Sequence, residues 1–175
     1  LLAGVERKAL LWMAARTPDW ITPDILTFLG LFGFWLSGIG YYFTHKGDFF
    51  LIIASLGMII NWVGDSLDGT LARYRKKERP KFGFYLDHLI DAFGITGFIF
   101  GLAYSGLVTH PYIWLVLALF FIASINVYLA TNTIGIFKIS HLKISTTEAR
   151  VLLIIMNTVL MFVKRITIAG LSFRW

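Results

Sequence analysis

The chain has 175 residues, of which 57% are hydrophobic, 17% aromatic and only 15% charged, with a mean hydropathy of +0.73. That composition excludes an ordinary soluble domain and predicts an integral membrane protein. In a membrane protein the net charge of +6 reports orientation and contact with anionic headgroups, and no nucleic-acid partner is expected; the lack of cysteine excludes disulfides and thiolate metal sites.

In chain order, residues 1–17 open with "LLAGVERKALLWMAAR", where Leu1, Val5, Leu11 and Trp12 share a helical neighbourhood interrupted by Glu6, Arg7, Lys8 and Arg16. This predicts an interfacial amphipathic helix. Pro18 and Pro23 in "TPDWITPD" break it, and Trp20 suits the headgroup boundary. A first crossing is predicted over 25–43, with Gly30, Gly33, Gly38 and Gly40 as close-approach positions. A second starts near Phe49, is apolar to Val63 and keeps its helical pattern to about Tyr74. The loop "RYRKKERPK" then carries Arg73, Arg75, Lys76, Lys77, Arg79 and Lys81 against Glu78 alone, and the positive-inside rule assigns it to the cytoplasm. Further crossings are expected over 84–107, 112–130 and 147–163, making five in one membrane-embedded domain, 1–175. The intervening loops carry Lys46 alone, then no Lys or Arg, then Lys138 and Lys143, an alternation that supports the same orientation; a multi-pass protein of the cytoplasmic membrane with its site at the cytoplasmic face is expected. Lys164 and Arg165 breach the rule, as if a further helix followed.

The unexpected residues are acids. Asp65 and Asp68 end one apolar run, and Asp87 and Asp91 begin the next. At about 100° per residue, Asp65, Asp68, Gly69, Ala72 and Arg73 share one face, while Gly83, Asp87 and Asp91 are spaced by four and stack on another. Counted outward from Glu78, Asp68 and Asp87 lie about ten residues away and Asp65 and Asp91 thirteen, so a helical hairpin brings the four to matched depths. An aspartate in a crossing costs roughly 2.5–3.5 kcal/mol when central, and four together repel. Divalent cations with oxygen ligands would compensate, and two ions would take about this many carboxylates. Such a site serves phosphate chemistry, with Gly69 and Gly83 giving a nucleotide access to the backbone and Arg73 available to a phosphate. The alternative is that these acids pair with Arg73, Arg75 and nearby lysines as solvated helix-end charges.

The sequence "DSLDGTLAR", followed nine residues later by "GFYLDHLID", resembles the signature of the CDP-alcohol phosphatidyltransferases, DxxDGxxAR then GxxxDxxxD. The signature covers 27 residues, Asp65 to Asp91, and "ITPDILTFLGL" is similar to the family's first-helix entry. The spacer of nine residues departs from the usual eight. The resemblance implies a bundle of six membrane helices, usually dimeric, in which an alcohol attacks the β-phosphorus of a CDP-linked donor and CMP is released. It implies that Asp65, Asp68 and Asp87 bind Mg²⁺ or Mn²⁺, that Asp91 lies near the metals as the base for the acceptor hydroxyl, that Gly69, Ala72 and Gly83 border the cytidine nucleotide, and that Arg73 faces the pyrophosphate. With five crossings visible, the sixth is expected to be absent from this sequence or too short for the pattern to show.

His88 points about 100° from the acidic face, which favours packing over catalysis, although its place beside Asp87 resembles choline and ethanolamine phosphotransferases. Lys138, Lys143 and Arg150 are expected near the cytoplasmic ends of the fourth and fifth crossings, contacting a phosphorylated acceptor or lipid headgroups. Asn61, Asn126, Asn132 and Asn157 are expected to hydrogen-bond between helices. Two rival functions stay open at this point, a divalent-cation transporter or channel and an inactive scaffold. A conduction path would spread polar groups through the bilayer depth, whereas this acidic cluster gathers at one end.

Overall fold

The computed structural model describes residues 3–108, 110–134, 146–162, 165–168 and 171–174. It contains six α-helices: α1 (Ala3–Arg16), α2 (Pro23–Tyr42), α3 (Phe49–Tyr74), α4 (Pro80–Ala103), α5 (His110–Ile134) and α6 (Thr146–Phe162). Four of them, α2 to α5, are long and apolar enough to cross a membrane, so the chain is an all-α integral membrane protein. The predicted fifth crossing is α6, whose 17 residues fall short of the roughly 20 that a hydrocarbon core takes. Downstream of α6, a short antiparallel ladder pairs Arg165–Ile168 with Leu171–Arg174, an element the sequence pattern did not announce.

The boundaries follow local chemistry. Thr22 caps α2, its Oγ1 accepting from the Ile25 amide at 3.3 Å, with Pro23 at the first turn. Lys76 has φ of +54° and ends α3, the Lys76 amide donating to the Arg73 carbonyl and the Lys77 amide to the Ala72 carbonyl. Just before it, Arg75 donates to the carbonyls of Ile21 at 2.6 Å and of Thr17 and Pro18 at 2.8 Å. The basic loop is thereby clasped to the α1–α2 connection, and Arg79 pairs with Asp24 beside it. Pro80 then starts α4.

Helices α2, α3 and α4 form the centre, joined by small residues. A Cβ on Gly33 would collide with the Asn61 backbone, and one on Gly64 with Gly30. Likewise Gly38 and Gly101 bring α2 and α4 together. Lipid tails are as apolar as the helix faces, so this backbone proximity and its dispersion contacts take the place of a hydrophobic driving force. All four glycines expected to mediate close approach in the first crossing do so. Helix α1 lays Leu10 and Ala14 against Leu26, Leu67 and Leu71 and leaves Val5 and Trp12 exposed.

Polar side chains tie α6 in. Asn157 accepts from the Tyr41 hydroxyl at 2.8 Å and donates to Ser55 Oγ at 3.0 Å. Glu6 Oε1 accepts from Trp62 Nε1 at 2.9 Å and from Thr147 Oγ1 at 2.6 Å, linking α1, α3 and α6 at one oxygen. Asn61 and Asn157 thus bond between helices as expected.

Candidate active site

The end of α3 and the start of α4 flank a cavity of about 870 Å³ lined by Asp65, Asp68, Gly69, Ala72 and Arg73 on one side and Gly83 and Asp87 on the other. Thr22 to Asp24 and Thr27 on α2, with Thr146 on α6, complete its walls. Asp91 lies behind it, in a cavity of about 10 Å³ shared with Asp65 and Asp87. Asp65, Asp87 and Asp91 each offer a carboxylate oxygen, and these oxygens all lie within 4.8 Å of one another. Three of the four expected acids therefore converge from two helices.

Asp68 stands on the cavity wall with both oxygens engaged. Its Oδ2 accepts from Thr27 Oγ1 at 2.7 Å and its Oδ1 from the Gly69 amide at 2.5 Å. Thr27 had no functional reading from sequence, because its partner lies 41 residues away.

Arg150 was expected among acceptor or headgroup contacts. Its guanidinium is instead buried, with Nη2 donating to Asp65 Oδ2 at 2.6 Å. It thus neutralises one of the three converging acids from α6. Lys138 and Lys143 lie outside the described residues. His88 packs, its ring centroid 4.0 Å from that of Phe84 and 4.8 Å from that of Tyr128, with Nδ1 held by the Phe84 carbonyl at 2.7 Å.

The donor set suits a hard cation. Three carboxylates within reach of one point, with one guanidinium among them, leave excess negative charge and only oxygen ligands, which is what Mg²⁺ or Mn²⁺ requires. The two glycines fit a neighbouring ligand. A Cβ on Gly83 would meet no atom within 4 Å, and the atoms nearest one on Gly69 are those of the flexible Arg73 guanidinium, the first at 3.3 Å. Protein packing does not demand either glycine, in contrast to Gly33 or Gly64.

A family model described as CDP-alcohol phosphatidyltransferase matches residues 20–174. The chain belongs to that family. The match takes in α2 to α6 and the whole aspartate pattern. An uncharacterized protein of Aquifex aeolicus is 37% identical over 73 residues, 42% of this chain and 34% of that protein. The archaetidylinositol phosphate synthase of Pyrococcus horikoshii is 35% identical over 88 residues, 50% of this chain and 44% of the synthase. The chain thus spans less than half the length of these relatives.

A substitution at Gly83 tests the expected nucleotide contact apart from packing, because a side chain there has open space. Gly83→Val should leave the melting temperature in detergent unchanged or slightly raised, since a helical glycine is replaced where there is room. It should weaken binding of a CDP-linked family donor by about tenfold or more, equivalent to about 1.4 kcal/mol of lost contact. Calorimetric titration of the donor into both proteins, with melting curves alongside, checks this; unchanged donor affinity would remove Gly83 from the nucleotide wall.

Proposed function

We propose that this chain, as one membrane-embedded domain, transfers a substituted phosphate group from a CDP-linked donor to an alcohol and releases CMP, in phospholipid synthesis. The observation that carries the reading is the convergence of Asp65, Asp87 and Asp91 oxygens within 4.8 Å beside a cavity whose two glycines leave room for a ligand.

Asp65, Asp68, Asp87 and Asp91 would hold Mg²⁺ or Mn²⁺, two ions in the full site. When bound, the metal neutralises phosphate oxygens and stabilises the leaving phosphate. Gly69, Ala72 and Gly83 form the nucleotide wall, and Arg73 takes a phosphate by its fork of N–H donors. Arg73 is exposed and reaches back over Gly69 toward Thr70 Oγ1 at 3.4 Å, free to swing onto a diphosphate. The acceptor hydroxyl loses its proton to Asp91, its oxygen bonds to the β-phosphorus, and the bond from that phosphorus to CMP breaks. Arg150 holds Asp65 in position during these events.

The resemblance to an archaetidylinositol phosphate synthase favours a CDP-linked lipid as donor and a phosphorylated polyol as acceptor over a CDP-amino alcohol with a lipid acceptor. Lys138 and Lys143 are proposed contacts of that acceptor or of headgroups. The site faces the cytoplasm because the basic loop 75–81 lies at its mouth. The working unit is a homodimer, supported by family membership and by the outward apolar face of α5, where Leu115, Leu119 and Ile122 are exposed.

Purified protein with Mg²⁺ or Mn²⁺ and a matrix of CDP donors and acceptors should release CMP with at least one pair, fastest with CDP-diacylglycerol and a polyol phosphate. Absence of CMP from every pair would overturn the enzyme reading.

A further inference from the structure

Asn61 lies on α3 one turn from Asp65 and is 1% exposed. Its Nδ2 donates to the Gly30 carbonyl on α2 at 3.0 Å. A carbonyl can only accept, so this contact fixes which end of the amide faces α2 and leaves Oδ1 as the other end. Among the described residues Oδ1 has no hydrogen-bond partner. Burying an oxygen in that state costs roughly 1–3 kcal/mol, a cost that a ligand would remove.

The same side chain lines the cavity of about 10 Å³ with Asp65, Asp87 and Asp91, a volume that suits one water-sized species. The acidic and amide side chains lining this space are the three carboxylates and Asn61, and one guanidinium, that of Arg150, pairs with Asp65, leaving the acids in excess. Thr27 also borders it, but its hydroxyl is directed to Asp68 and to the Pro23 carbonyl. Acceptors gathered around a small buried volume repel one another unless a cation sits among them. Amide carbonyls are ordinary ligands of hard divalent ions, and a neutral one adds a bond without adding to the repulsion.

We infer that Asn61 Oδ1 is a fourth oxygen donor to the divalent cation held by Asp65, Asp87 and Asp91. This rests on the proposed cation site and adds a ligand from outside the aspartate pattern. In chain order the donor set begins four residues before Asp65, with the amide's other end anchored to α2, so the packing of α2 on α3 also sets the ligand geometry.

The test is Mn²⁺ binding to the full purified chain without nucleotide, read from the electron paramagnetic resonance signal of free Mn²⁺. Asn61→Leu removes the oxygen at similar volume and should weaken binding by about tenfold or more. Asn61→Asp keeps an oxygen, loses the donor to Gly30 and should bind Mn²⁺ at least as tightly as the wild type. Asn157→Leu deletes another buried amide, one bonded to Tyr41 and Ser55, and should leave Mn²⁺ affinity unchanged. The inference is overturned if Asn61→Leu binds like the wild type, if Asn157→Leu weakens binding equally, or if Asn61→Asp binds as poorly as Asn61→Leu. Should Asn61→Leu fail to fold, Asn61→Asp decides alone: weakened binding overturns the assignment. A wild type that binds no Mn²⁺ would instead sink the cation site itself.

Discussion

Asp91→Asn should retain CDP-donor binding and lose turnover by about 10²–10⁴-fold, the range for removal of a general base. Donor binding survives because Asp91 lies behind the large cavity, which is walled by Asp65, Asp68, Asp87 and the two glycines. The substitution preserves shape while deleting the proton acceptor and one negative charge. That charge also belongs to the converging trio, so two explanations of a lost rate must be separated. CMP release is therefore measured across a Mn²⁺ titration. If saturating Mn²⁺ restores the rate, Asp91 serves only as a ligand; if the rate stays low with donor and Mn²⁺ both bound, Asp91 acts as the base. Full activity at ordinary Mn²⁺ would remove it from both roles.

The hairpin carrying the site was legible in the sequence because its information is local. Asp65, Asp68, Gly69, Ala72 and Arg73 fall on one helical face by spacing alone, and the count outward from Glu78 brings the two acidic faces together, although Asp68 stands outside the trio of Asp65, Asp87 and Asp91. The glycines of α2 were legible for a related reason, since small residues repeated in an apolar run signal close helix approach. What spacing could not reveal are contacts between distant segments. Arg150 meets Asp65 across 85 residues, Glu6 meets Thr147 across 141, and Thr27 meets Asp68 across 41. Each is one polar side chain on an otherwise ordinary helix, without a periodic partner to betray it. Arg150 was misdirected toward the headgroups because a cation near a helix start ordinarily points to the interface, whereas here an acid on α3 draws it inward.

That inward cation makes the second large prediction. Arg150→Leu should destabilise the protein in chelator by about 3 kcal/mol, the lower end for breaking a buried ion pair, since Asp65 retains some solvent contact with a side chain 24% exposed. The loss should reach α6 first, because this ion pair, the Glu6–Thr147 bond and the Asn157 bonds are polar ties between it and the rest of the bundle. Mn²⁺ should have the opposite sign. Without the guanidinium, Asp65, Asp87 and Asp91 present one more uncompensated charge to a cation, so the variant binds Mn²⁺ more tightly and gains more stability from it. Melting curves in chelator and in Mn²⁺ should show a larger metal-induced rise for Arg150→Leu than for the wild type, with Arg150→Lys between them because an ammonium keeps the charge and loses the planar fork. Equal metal-induced rises in all three proteins would mean that Arg150 and the cation do not share Asp65. The cation site as drawn, closed on one side by α6, would then be wrong.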